Sequence, residues 1–245
     1  MDFTYTAYKG LIHSLLQNDY QISTYKDWWT TSKCAILRHD IDNDIEKALT
    51  LAEIEKSVAG GVKSTFFVLV TSDFYNIFSH KNMRLLRKIS DCGHDIGLHF
   101  DETTYTDIKT PDDAKDHILD EVSLLSKAID KPVEVVSMHR PSPMMLDADL
   151  QIEGLINSYG RTYFREFKYV SDSRRSWREP VEDIVASGNF ERLHILTHAI
   201  WYNDVEKSLH DSVYQFVNNG NRQRYIGMQS NISNLHLIMP EKEVK

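Results

Sequence analysis

Short apolar runs alternate along this chain with longer stretches in which apolar residues return every three or four positions. Lys63–Val70 (KSTFFVLV) is β-branched and aromatic, and short enough for a buried strand. Ala35–Asp42, Asp95–Phe100, Val133–His139 and Arg192–Trp201 read as strands as well. Helical spacing fills the gaps. Over Asp42–Ala59 it places Ile45, Leu49, Ala52 and Val58 near one face, and Lys81–Cys92 is helix-like up to Gly93. Pro111–Asp130 has a proline suited to a first turn and a single stripe of Ala114, Ile118, Val122, Leu125 and Ile129. An N-terminal helix over about Tyr5–Gln17 and helices after Val205 flank this series, and Ser142–Phe190 shows no firm pattern. The β-α-β-α order predicts an α/β fold, a parallel sheet with helices outside it. No repeat, low-complexity tract or linker interrupts the chain. One domain over 1–245 is expected, with 1–33 as an N-terminal helix and arm and 203–245 as flanking helices.

Composition changes this picture little. Hydrophobic residues make up 41% and charged residues 26% of the 245 positions, ordinary values for a soluble globular protein. The formal charge of −8 argues against a nucleic-acid partner, which would call for a basic face. No stretch approaches the roughly 18 apolar residues of a membrane span. The opening MDFTYTAYKGLIHSLLQNDY lacks a basic segment followed by an apolar run. A cytoplasmic protein with Cys34 and Cys92 as reduced thiols is therefore expected, and there the sequon at Asn231 has no meaning. Nothing in the pattern speaks to oligomeric state.

In parallel β/α folds, sites gather at the C-terminal ends of the strands. The first strand ends Arg38-His39-Asp40-Ile41-Asp42. Side chains alternate in a strand, so Asp40 and Asp42 share a face and His39 takes the other. Two such carboxylates can bind a metal and act as a base, although Asp42-Asn43-Asp44 could also cap the next helix. The later strands end in Leu98-His99-Phe100, in His139-Arg140-Pro141 and in Thr197-His198-Ala199. A lone histidine is more often a hydrogen-bonded structural residue than a ligand. Carboxylate and imidazole converging on one end of a sheet are the ligand set of a catalytic zinc or a similar ion.

In this order the motifs resemble those of the polysaccharide deacetylases of carbohydrate esterase family 4, the group with the nodulation-deacetylase homology domain. The resemblance runs from about Ala35 to Tyr202. Asp40 and Asp42 stand where the family has its catalytic base and a metal aspartate. Ser64-Thr65-Phe66-Phe67-Val68 follows the family's next strand, and Gly93-His94-Asp95-Ile96-Gly97-Leu98-His99 its second motif. The family's second metal histidine would come four residues later, where this chain has Thr103. Arg140-Pro141 fits the motif whose arginine contacts the base. Asp172 and Trp177 fit the fourth motif loosely. Leu196 and His198 fit the last, whose histidine is the general acid.

The resemblance implies a distorted (β/α) barrel with fewer than eight regular strands, and a metal-dependent hydrolase of N-acyl amino sugars. It is nearest to the unexported branch linked to surface-polysaccharide biosynthesis. Asp40 is then the base, His198 the acid, Arg140 the partner of Asp40, and Asp172 the orienter of His198. A divalent metal of the zinc type is expected on Asp42 and His99. For the missing third ligand His139 ranks first, ahead of Asp101 or Glu102, and a metal-free barrel ranks last. His139 and Arg140 can share the site only if Pro141 bends the chain. Trp201 and Tyr202 form a sugar-stacking platform or cover the barrel. Arg174-Arg175 are a solvated pair or meet a phosphate of an activated sugar, nucleotide-linked or lipid-diphosphate-linked. His94 and His194 read as structural, and Trp28-Trp29 as packing. Two alternatives stand beside this reading: a catalytically inactive carbohydrate-binding barrel, and a hydrolase of small cyclic amides.

Overall fold

The computed structural model describes residues 1–58 and 60–244. The chain divides into two compact units, Met1–Asp204 and Val205–Lys245. The first opens with α1 (Tyr5–Gln17), N-capped by Thr4, whose hydroxyl accepts from the Ala7 N–H. It continues through β1 (Gln21–Ser23), β2 (Cys34–Ile41), α2 (Ile45–Ser57), β3 (Thr65–Val68), α3 (His80–Asp91), β4 (Asp95–Phe100), α4 (Ala114–Ile129) and β5 (Val135–Met138). Besides a 3₁₀ turn at Ser173–Arg175, the stretch without a firm pattern holds five short α-helices and strands: α5 (Pro143–Asp147), β6 (Ile156–Asn157), α6 (Arg161–Arg165), β7 (Lys168–Ser171) and α7 (Val181–Ser187). They are too short for their periodicity to show. β8 (Arg192–His198) closes the series and runs into a 3₁₀ turn at Ala199–Trp201. The second unit carries α8 (Leu209–Gln229), N-capped by Ser208, and α9 (Leu235–Ile238). No helix among the described residues is long and apolar enough to cross a membrane.

The strands lie in the order β6-β5-β4-β3-β2-β8-β7, and every pairing is parallel. β1 pairs with Cys34–Ile36 of β2, and β3 takes over that same edge from Arg38. The seven strands curl into a half-barrel with helices around it, a distorted (β/α) barrel.

Alternation along β2 sorts its side chains between two cores. Cys34 and Ile36 join Tyr25, Phe67, Val135, Tyr163 and Phe167 inside the curl. Ala35, Leu37 and Ile41 join the larger core shared with α1, α2, α3 and α4. The strand is buried along its whole length, as expected of a parallel strand covered on both faces. Arg38 and Asp40 are therefore inside, and His39 outside.

Two local features bear on the site. The helix expected over Asp42–Ala59 starts at Ile45, and its cap is Asp44, whose carboxylate accepts from the Glu46 and Lys47 N–H groups. Asp42 is thus not the capping residue; Ala59 lies outside the described residues. Gly97 on β4 marks a close approach: a Cβ there would stand 2.5 Å from the Phe67 ring. Only glycine lets the Phe67 ring come this close to β4 in the barrel interior.

Candidate active site and metal centre

Asp42, His99 and His139 meet at the C-terminal end of the sheet. His99 comes from β4, and His139 follows β5, its N–H donating to Phe100 O at 2.7 Å. His139 Nδ1 is 3.1 Å from His99 Nε2, and the two nitrogens lie 3.5 and 3.4 Å from Asp42 Oδ1. Both imidazoles are buried, and Asp42 is half-buried. Burial alone would raise the Asp42 carboxyl, yet the adjoining His99, with His198 and His139 beyond it, holds it far below the usual carboxylate range. Burial pushes His139 down, and the neighbouring His99 adds to this, which favours the neutral imidazole that a metal needs.

These three atoms fit a divalent ion. Ligands at bonds of ~2.1 Å in a tetrahedral set stand ~3.4 Å from one another, the spacing seen here. Asp42 Oδ1 is buried and makes no hydrogen bond among the described residues. The other candidates for a third ligand are engaged elsewhere. Asp101 accepts from the N–H and hydroxyl of Thr103, at 2.9 and 2.6 Å. Glu102 accepts from the backbone N–H and hydroxyl of Ser142.

Asp40 lies beside this cluster, its Oδ2 3.4 Å from His99 Nε2. Its charge partner is Arg38, not Arg140. Arg38 Nε donates to Oδ1 at 2.7 Å and Nη2 to Oδ2 at 2.8 Å. The guanidinium is fully buried, 5.0 Å from the ring centroids of both Phe67 and Tyr159. Burial would raise the Asp40 carboxyl, but Arg38, helped by His99, holds it below its ordinary value. Arg140 is exposed, with a left-handed φ of 48°. It lies beyond the end of β5, where the left-handed turn leaves its side chain in solvent, away from Asp40. The signal for Arg38 was available: it stands two residues before Asp40 on one strand and shares its face.

His198 ends β8 as the ladder partner of Asp40. Its Nδ1 lies 2.6 Å from Asp172 Oδ1, and its Nε2 3.9 Å from Asp42 Oδ2. Burial would lower the imidazole, but the Asp172 carboxylate outweighs it and pushes His198 up to about 9. Asp172 directly follows β7 and is fully buried. It also accepts from the His198 backbone N–H, at 3.1 Å to each oxygen, and from the Tyr202 hydroxyl at 3.2 Å.

That last bond corrects the expected sugar platform. Tyr202 is wholly buried, with its ring against Phe3 and Tyr8, so no substrate can stack on it. Trp201 remains partly exposed. Arg174 is exposed, whereas the Arg175 guanidinium lies 4.7 Å over the Phe3 ring. Trp28 packs on the inner core, and Trp29 is exposed. His194 sits deep in that core, 2.6 Å from the Tyr25 hydroxyl; burial, with Arg38 adding to it, lowers its pKa to about 3.

No protein-family model matches this chain, and no curated protein matches it. Solved structures similar to it carry the name of the family that the motifs resemble. One is a family 4 acetyl xylan esterase from Clostridium thermocellum, with 16% identity over 76% of this chain and 82% of that one, at a TM-score of 0.42. Another is the polysaccharide deacetylase from Bacillus cereus, with 18% identity, coverages of 78% and 88%, and a TM-score of 0.41. A third is a CE4 family pseudoenzyme from Bacillus anthracis, with 16% identity, coverages of 79% and 62%, and a TM-score of 0.43. The chain thus spans less than two thirds of that pseudoenzyme. At such scores the likenesses say nothing of what this chain does.

Proposed function

We propose that this chain is a metal-dependent hydrolase that removes the N-acyl group, an acetyl in the first instance, from an amino sugar. The observation that carries this reading is the convergence of three units on one point: the Asp42–His99–His139 cluster, the Arg38–Asp40 pair and the Asp172–His198 pair.

Asp42, His99 and His139 would hold the ion. Such an ion, zinc or a similar divalent metal, supplies Lewis acidity towards a carbonyl and lowers the pKa of water bound to it. Asp40 takes the proton of the attacking water. Arg38 keeps its carboxylate ionised and oriented, and Oδ2 faces the cluster. His198 delivers a proton from Nε2 to the leaving nitrogen. Asp172 holds the proton on Nδ1 and stabilises the charged imidazole, as carboxylates do behind catalytic histidines elsewhere. Positioned acid and base groups of this kind contribute about 10²–10⁴-fold in rate.

For the substrate we favour an activated amino sugar of surface-polysaccharide biosynthesis. Arg174, exposed two residues beyond Asp172, is the side chain available for its phosphate, and Trp201 the ring available for its sugar face. The test is metal analysis of the purified protein together with acetate release from free, nucleotide-linked and polymeric N-acetyl amino sugars. Stoichiometric zinc or a similar ion, and acetate release abolished by chelation, are expected. Protein that binds no divalent ion and releases no acetate would end the proposal.

A further inference from the structure

The face of the sheet opposite the site carries a second polar cluster, which the proposed chemistry does not use. Its centre is the wholly buried carboxylate of Glu55 on α2. Tyr8 on α1 donates its hydroxyl to Oε1, and His39 Nε2 lies 2.8 Å from that oxygen. Ser64 Oγ, just ahead of β3, donates to Oε2, and His94 Nδ1, just ahead of β4, stands 3.3 Å from it. The other His94 nitrogen is 3.0 Å from Ala52 O. His39 carries the chain of contacts on to β8: its Nδ1 is 2.6 Å from Thr197 Oγ1, and its ring stacks on Phe66 at 4.3 Å.

Burying a carboxylate among imidazoles costs desolvation, and apolar side chains of similar volume often stabilise a core as well or better. What this cluster adds is position. His39 and Thr197 are ladder partners, and the next pair, the last of the β2–β8 ladder, is Asp40 and His198. Ladder ends are where strands open most readily. The His39–Thr197 contact fastens the two strands one residue before that end, from the face opposite the chemistry. Glu55 holds His39 in turn, and Tyr8 links it to the site side, because its ring packs edge-on against Tyr202, the donor to Asp172.

We infer that Glu55, His39 and Thr197 form a positioning clamp that fixes the spacing of Asp40 and His198. The inference rests on the base and acid assignments proposed above. Thr197→Val removes the hydroxyl at nearly constant volume, and Thr197→Ser keeps it. With an N-acetyl amino sugar that the wild type turns over, Thr197→Val should lower kcat about tenfold, with KM within about twofold and metal content unchanged, since small misplacements of reacting groups are costly. Thr197→Ser should restore kcat. Amide hydrogen exchange at residues 40 and 197, at the end of the β2–β8 ladder, should be about tenfold faster in Thr197→Val, and unchanged along the β3–β4 ladder. Wild-type kcat in Thr197→Val, or equal losses in both variants, would overturn the clamp. A wild type inactive on every amino sugar would instead sink the deacetylase reading. The exchange experiment then decides the clamp alone, and unchanged protection at residues 40 and 197 overturns it.

Discussion

Arg38 and Asp40, two residues apart on one strand, are joined by two parallel hydrogen bonds inside the barrel, Nε to Oδ1 at 2.7 Å and Nη2 to Oδ2 at 2.8 Å. Neither charge could stand there alone, because a buried ion without its partner costs about 3–5 kcal/mol. Arg38→Met should therefore destabilise the fold by roughly that amount, seen as a lowered urea midpoint, and cut kcat by about 10²-fold or more. Arg140→Ala should leave both nearly unchanged. A wild-type kcat in Arg38→Met would remove Arg38 from the site.

Metal binding should depend on both histidines. His99→Ala and His139→Ala are each expected to weaken zinc affinity by more than the roughly 10–100-fold that loss of an outer-shell partner costs. Competition with a chromophoric chelator measures this. If His139→Ala binds zinc as tightly as the wild type, the third ligand lies elsewhere.

Asp172→Asn keeps the shape of the side chain that holds His198 but removes its charge. Loss of the corresponding carboxylate in a well-studied triad costs ~10⁴-fold in kcat through the wrong imidazole tautomer. A fall of about 10²–10⁴-fold is expected here, with metal content unchanged. Full activity would show that His198 does not need Asp172.

Stability should fall as pH rises through the weakly acidic range, because of Glu121. Burial, working against the hydroxyl that Tyr105 donates to it, pushes this carboxyl up to about 7. Below about pH 4.5 the group is protonated in both folded and unfolded chains and has no effect. From there to about 7 the unfolded chain ionises first, so folding loses stability with rising pH, by roughly 3 kcal/mol in total, and the loss then levels off. Glu121→Gln should flatten this slope in urea titrations between pH 4.5 and 8. An identical slope in the variant would remove Glu121 as its source.

Gly97→Ala tests the packing beneath the site. The added methyl would lie 2.5 Å from Phe67, whose ring supports the Arg38 guanidinium. A loss of about 1–3 kcal/mol is expected from such overpacking, measurable as a lowered Tm. A Tm equal to wild type would show that the ring moves aside freely.

Periodicity and alternation are local properties, and whatever followed from them was legible in the sequence alone. The β/α order, the parallel sheet and the shared face of Asp40 and Asp42 need only residue spacing and the pleat. The same local rule sent His39 outward and Arg38 inward, although only the structure drew attention to Arg38. Tertiary structure decided what depends on several chain ends meeting. The sheet's curl brings His139 across to His99 and Asp42, forty residues apart in the chain in one case and nearly a hundred in the other. A left-handed turn swings Arg140 out to solvent. Tyr202 is buried by the arm carrying Phe3 and Tyr8, which no pattern near Tyr202 could announce. The five short elements between Pro143 and Ser187 are each smaller than the window in which a period can be read, so packing alone defines them.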